Sequence, residues 1–478
     1  MRQTKLFELL QKLSPSERRR LEKFLLSPYF NESQVLIRLF QYWLNQRRVE
    51  HALAEEAIFT HLFPDKKFRK QRLREEYARL YRLLLQFLAQ EEQRLHPQQD
   101  SLAILAQLRK HQLPRQFDQQ KRKLESRLFS QSRRDGRFYY LTHQLADEAN
   151  GMYGMRQVRV YDAHLQEKVA ALDSYYLINR LRDGCEMLNR NQVFHAPVRD
   201  QFLEHLLAYL DQHPEAWADS PAIQIYREIV LSFGPEGERH YQRLPNLLDQ
   251  HHALFSAEEA RGLYKYAQNF CIRQINQGHS HYLVELLHLY KAQLSTGVIF
   301  SDENLSHTDF KNIVTVGLRL KDFSWVKNFI ETYAERVLPP FRDNVYHYCS
   351  ALRLLEEGNP SGAVRLLQKV QFTDDSYQIS ARYVMLRAFY EMNDLESLPY
   401  LIKAFQANLR RNRSISTTNR PIHQNFLRLF PKLVALKDKK GLIPEAQWAA
   451  KADSLRTAIE TTPKLSHAVW LKEKLEGL

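Results

Sequence analysis

Glycine is scarce in this chain, at 14 of 478 residues, about 3% against a usual level of about 7%. β-Branched residues are scarce too: 38 Val and Ile stand against 71 Leu, and only five of the 38 precede residue 150. So few turn and strand formers, beside abundant Leu, Lys, Arg, Gln and Glu, favour helix. They argue against an α/β enzyme built on glycine-rich loops. The sequence contains no GxxxxGK[ST], no GxGxxG, no GxSxG and no HExxH, so the motifs that cradle phosphates, carry a nucleophile or hold zinc are missing. Three cysteines, Cys185, Cys271 and Cys349, are too far apart for a CxxC pair and too few for a disulfide framework, which predicts a reduced, cytoplasmic setting.

Long apolar runs are also missing. The most apolar stretch, Leu80 to Ala89, is short and holds Arg82 and Gln86, so no transmembrane segment is expected. The opening residues run into an amphipathic pattern with Glu8 and Lys12 rather than an apolar segment of secretory length. The 19 histidines are scattered. His279 and His281 flank a turn near His288, and read as turn residues rather than a zinc site. No catalytic, cofactor-binding or metal-binding residue is assigned, and the chain is expected not to be an enzyme. A site built on carboxylates without a motif stays open.

What the chain does have is lopsided charge. Its 69 Lys and Arg against 55 Asp and Glu give +14. Residues 1–140 alone hold 29 basic and 16 acidic residues, net +13. Three clusters carry much of this. Arg18, Arg19, Arg20 and Lys23 sit on one helix; Lys66, Lys67, Arg69 and Lys70 sit on a loop leading into another; Lys121, Arg122, Lys123 and Arg127 follow Pro114. Such asymmetry points to an acidic partner, nucleic acid first among them. The alternative is a solvated helical surface, partly compensated by Arg72/Glu76 and Glu75/Arg79 at i,i+4 spacing. No zinc-finger, KH or RNA-recognition signature accompanies the clusters.

Helical periodicity runs from end to end. Ser14-Pro15-Ser16-Glu17 is a capping-box signature that starts a helix to about Leu26, and Asn31 is placed to cap the next. Leu73, Tyr77, Leu80, Tyr81, Leu84 and Leu88 step by three and four over about five turns. Breaks at His96–Asp100 and Ser132–Gly136 flank two further helices, at about 101–112 and 114–131. Beyond them a repeat emerges. Apolar pairs recur at Leu206-Leu207, Leu247-Leu248, Leu286-Leu287, Phe329-Ile330, Leu366-Leu367 and Leu401-Ile402, at offsets of 41, 39, 43, 37 and 35 residues. The last four follow tight polar turns at Gly278, Lys321-Asp322, Gly358 and Asn393, each preceded by a longer amphipathic helix. Each unit reads as a helical hairpin that must stack on its neighbours to bury its apolar face.

The expected fold is therefore all-α, an N-terminal helical domain followed by an α-solenoid. The expected divisions are a basic helical domain over 1–96, a basic hairpin over 97–136, the solenoid over 137–440 and a helical cap over 441–478. Trp325, Phe329 and Phe405 are expected to wedge neighbouring hairpins apart.

Around Gly358 the small residues Ala351 and Ala363 stand where the tetratricopeptide repeat family places them, so residues of about 200–410 resemble an irregular version of that family. The match weakens at Gly278, where the positions are Cys271 and Leu283, and at Asn393, where they are Leu386 and Leu398. The resemblance implies that the first helix of each hairpin lines a concave groove, where Lys265, Gln268, Lys311, Arg319, Tyr348, Tyr383 and Arg387 would meet a peptide or protein partner. Residues 13–31 separately resemble the opening of bacterial helical proteins of unknown function, a kinship that supplies no activity. The expected function is a non-catalytic scaffold; the alternatives are nucleic-acid binding through residues 1–136, or an enzyme of unrecognised type.

Overall fold

The computed structural model describes residues 4–46, 55–155, 161, 163–194, 200–370, 375–412 and 420–478. These fold as helices. No strand forms among them, and β-type pairing is confined to single bridges, Ser301 with Asn304 and Leu305 with Val337. The fold is all-α, and the chain divides into two compact units, Met1–Leu177 and Ile178–Leu478. No helix of the described residues is long and apolar enough to cross a membrane.

The first unit is organised by the helix Lys70–Arg94. Helices Lys5–Lys12, Pro15–Leu26, Gln34–Gln46 and Glu55–Leu62 all pack against it. Its buried ridge is Leu73, Tyr77, Leu80, Leu84 and Phe87, with Leu88 only partly covered. Helix Pro15–Leu26 begins as its sequence predicts. Ser14 Oγ accepts from the Glu17 amide at 3.3 Å, and Glu17 Oε2 accepts from the Ser14 amide at 2.6 Å. Hydrogen bonding of the carboxyl to the Ser14 hydroxyl and to the Ser14 amide holds Glu17 below its ordinary range. Asn31 does not cap its helix, which starts three residues later. Its Nδ2 donates instead to the Leu25 carbonyl at 2.8 Å and closes the preceding turn. Helices Pro97–Lys110, Pro114–Phe129 and Gly136–Met155 form a separate three-helix group around Leu105, Phe117, Leu124 and Leu128. The first of these starts at Pro97, earlier than its periodicity suggests, because proline's missing N–H has no partner to lose at the first helical position.

In the second unit the hairpins are explicit. Ala257–Asn276 packs on Tyr282–Thr296, His307–Arg319 on Phe323–Tyr333, Pro339–Glu356 on Pro360–Leu367, and Asp375–Glu391 on Leu398–Arg411. Their four turns share one geometry. Gly278, Lys321, Gly358 and Asn393 all take positive φ, at 100°, 58°, 82° and 58°. In each, the next residue's amide donates five residues back: His279 to Gln274, Asp322 to Gly317, Asn359 to Leu354 and Asp394 to Phe389. This is the Schellman ending, which meets the last helical carbonyls and reverses the chain. Asp322 and Asn359 then cap the second helix of their hairpins. Phe329 and Phe405 are buried, and their ring partners Phe310 and Tyr383 belong to the same hairpins; Trp325 stacks on Phe329 at 5.5 Å.

Helix contact within one hairpin depends on Gly317. A Cβ at this position would lie 2.5 Å from Val326 Cγ2 and 3.3 Å from the Trp325 ring. Val326 is buried and stiff about χ1, so it cannot swing aside. Gly317→Ala is therefore expected to destabilise by about 1–3 kcal/mol through overpacking, despite alanine's better helix propensity. Thermal unfolding of Gly317→Ala and of Gly317→Ala with Val326→Ala checks this. The second change should recover most of the loss, and an unaltered Gly317→Ala would refute the close approach.

Candidate functional site

The first helices His307–Arg319, Pro339–Glu356 and Asp375–Glu391 pack one against the next. Each carries a ridge stepping by four residues: Lys311, Thr315 and Arg319; Tyr348, Leu352 and Glu356; Ile379, Tyr383 and Arg387. Residues at that spacing share one helix face. The three ridges line a single cavity of about 470 Å³, to which His423, Ser466 and His467 are added from further along the chain. The register is set by the turns: Lys311, Tyr348 and Tyr383 each stand ten residues before the left-handed turn residue of their hairpin.

Five residues expected in the groove, Lys311, Arg319, Tyr348, Tyr383 and Arg387, thus meet in one place. The other two do not join them. Gln268 occupies the same register in its hairpin but is buried, its Nε2 donating to Gln293 Oε1 at 2.5 Å. Lys265 is exposed, close enough to Asp309 to pull its carboxyl down against the burial that raises it.

The cavity's charge is positive. Arg387, with 11% of its side chain exposed, donates from Nη2 to Glu356 Oε1 at 2.7 Å and lies 5.2 Å from the Trp470 ring. Its Nε is buried without a hydrogen-bond partner. Lys311 Nζ sits 5.5 Å from the Tyr377 ring. Neither Lys311 nor Arg319 has an ion-pair partner among the described residues. Glu356 is the lining carboxylate, against three cations. Tyr348 and Tyr383 are buried in the wall, and Tyr383 Oη shares a hydrogen bond of 2.8 Å with His423 Nδ1. Burial lowers the His423 pKa. Burial, then Arg387, then His423 bring His467 down to about 4, so burial favours the neutral imidazole at pH 7. His467 also holds a left-handed backbone, φ 54°.

Glu356 was within reach of sequence reasoning, since steps of four from Tyr348 arrive at it. His423, Ser466 and His467 come from segments outside the repeat pattern, and no spacing marks them.

The basic residues of the first unit are dispersed. Arg20 pairs with Glu91 at 2.5 Å, near the end of helix Lys70–Arg94, whereas Lys66, Lys67, Arg69 and Lys70 stand at its start. Twenty-one residues of helix separate Lys70 from Glu91, about 30 Å. Arg18 lies over Trp43, Lys70 pairs with Glu55 and Lys121 with Glu125. Arg19, Lys23, Lys66, Lys67, Arg69, Arg122, Lys123 and Arg127 are exposed. The i,i+4 pairs expected on the long helix do not form: Arg79 pairs with Glu76 at 3.1 Å, and Arg72 lies over the Phe63 ring at 4.4 Å. The closer partner at i+3 and the adjacent aromatic face win over the longer reach.

The three cysteines are buried and unpaired. Burial pushes the Cys271 thiol up to about 12, and its sulfur lies 2.9 Å from Tyr241 Oη. Among the described residues no three His, Cys, Asp or Glu side chains are grouped to hold a metal ion. Comparison with protein-family models, with curated proteins and with solved structures finds no match to this chain.

Proposed function

We propose that this chain is a non-catalytic, tetratricopeptide-like helical-repeat scaffold whose second unit holds a peptide segment of a partner protein. The observation that carries the reading is the convergence of Lys311, Arg319, Tyr348, Tyr383 and Arg387, from three successive hairpins, on one cavity. Aromatic walls with a few charged groups at the rim are what anchor an extended segment, the rings by burial and the charges by orientation. The four matching turns support a stacked array, in which such first helices stand side by side.

A photo-crosslinking residue at position 315, exposed and on the cavity wall, tests this in native lysate. A protein adduct is expected at 315, resistant to nuclease. The same residue placed at Arg122, exposed in the first unit, is expected to give none. Adducts at 122 alone, lost on nuclease treatment, would replace the scaffold reading with nucleic-acid binding through the basic helices.

A further inference from the structure

We infer that the cavity selects an acidic peptide: an extended segment carrying two carboxylates four residues apart. This rests on the groove reading above and adds the chemistry of the occupant.

Three observations lead to it. The first is imbalance. Lys311, Arg319 and Arg387 face one lining carboxylate, Glu356, which Arg387 already engages. The lining histidines do not add to the charge, since burial keeps both from protonating at neutral pH. A partly enclosed site holding surplus cations favours an anionic occupant, because attraction there is screened less than in bulk water.

The second is the state of Arg387. Its side chain is largely buried, seated over Trp470 and held by Glu356, yet its Nε has no partner. A buried guanidinium with an unmet donor is costly, and with Glu356 its ion-pair partner, Arg387 leaves the wall no carboxylate to spare for Lys311 and Arg319.

The third is spacing. Lys311 and Arg319 stand eight residues apart on one helix, about 12 Å along its axis. An extended peptide rises about 3.3 Å per residue, and its alternate side chains point the same way. Carboxylates at i and i+4 are therefore about 13 Å apart and on one side. Tyr348 and Tyr383 line the wall for the apolar side chains between them.

The test uses the full-length protein and fluorescence anisotropy with labelled peptides, acetylated and amidated so that no chain-end charge contributes. Their background alternates Thr and Val. One carries Glu at i and i+4, one carries Glu at i and i+2, and one carries Lys at i and i+4. The first is expected to bind about tenfold or more tighter than the second, the Lys peptide not to bind, and affinity to fall as salt rises. Lys311→Ala and Arg319→Ala should each weaken the first peptide by about tenfold or more with unchanged unfolding temperature, while Arg122→Ala leaves it alone. Equal binding of Glu and Lys peptides, or indifference to both alanine variants, overturns the proposal. So does full displacement by millimolar inorganic phosphate, which would mark a site for a free oxyanion. If position 315 crosslinks a partner through a segment without acidic residues, the groove stands and the acidic occupant falls. If 315 crosslinks nothing while 122 does, the groove itself falls.

Discussion

Ala363→Trp is expected to cost the second unit about 3 kcal/mol or more, the upper end of what overpacking does to a filled core. Ala363 lies on Pro360–Leu367, packed against Pro339–Glu356, and both Ala363 and Ala351 are fully buried. Interiors are packed at crystal-like density, so an indole at this seam must push the helices apart or expose itself. Thermal unfolding should shift down by several degrees. Ala363→Gly leaves the helices where they are and should cost about 1 kcal/mol, through helix propensity alone. A tryptophan variant that melts like the parent would mean that the small residues do not set the helix spacing.

The same seam shows how far local chemistry was legible. Gly358 and Asn393 are types that enter the left-handed region readily, and Gly278 likewise, so those turns can be read directly. Lys321 has no such preference, yet it takes φ 58°. Its turn is recognisable through Asp322, whose carboxylate caps the following helix, and through the repeat offset. Periodicity locates ridges, which is why Lys311, Arg319, Tyr348, Tyr383 and Arg387 converge on one cavity. It does not distinguish a ridge facing open space from one facing a neighbour. Gln268 shares the register of Lys311, but Gln293 from the returning helix meets it, and only tertiary packing decides that. The basic clusters illustrate the converse. Two of them, around Arg20 and over Lys66–Lys70, stand at opposite ends of a 25-residue helix, and the third lies on another helix, Pro114–Phe129, so a charge count over 140 residues overstates any single patch.

The second large effect is acid sensitivity centred on the cavity. Burial, Arg387 and His423 together bring the His467 pKa from an ordinary 6.5 to about 4. A lowered histidine pKa means that the unfolded chain binds a proton more readily than the folded one. Stability is then fully present above about pH 6.5 and declines as pH falls toward 4, because protonation favours the unfolded state across that window. A displacement of this size corresponds to about 3 kcal/mol at pH 4. His423, also lowered by burial, acts in the same direction. The groups around the imidazole explain why it stays neutral: the Tyr383 and Phe426 rings lie 4.5 and 5.8 Å away, and the charge facing it is the Arg387 guanidinium. His467→Asn keeps a residue that tolerates the left-handed backbone at this position and removes the titrating group. Its stability at pH 7 should be somewhat lower than the parent's, through lost ring contacts. Between pH 6.5 and 4, however, it should lose about 3 kcal/mol less than the parent. Urea unfolding of both proteins at half-unit pH steps reads the two slopes directly. Parallel curves would show that His467 titrates as if in water, and that the cavity floor is open to solvent rather than sealed by the rings of Tyr383 and Phe426.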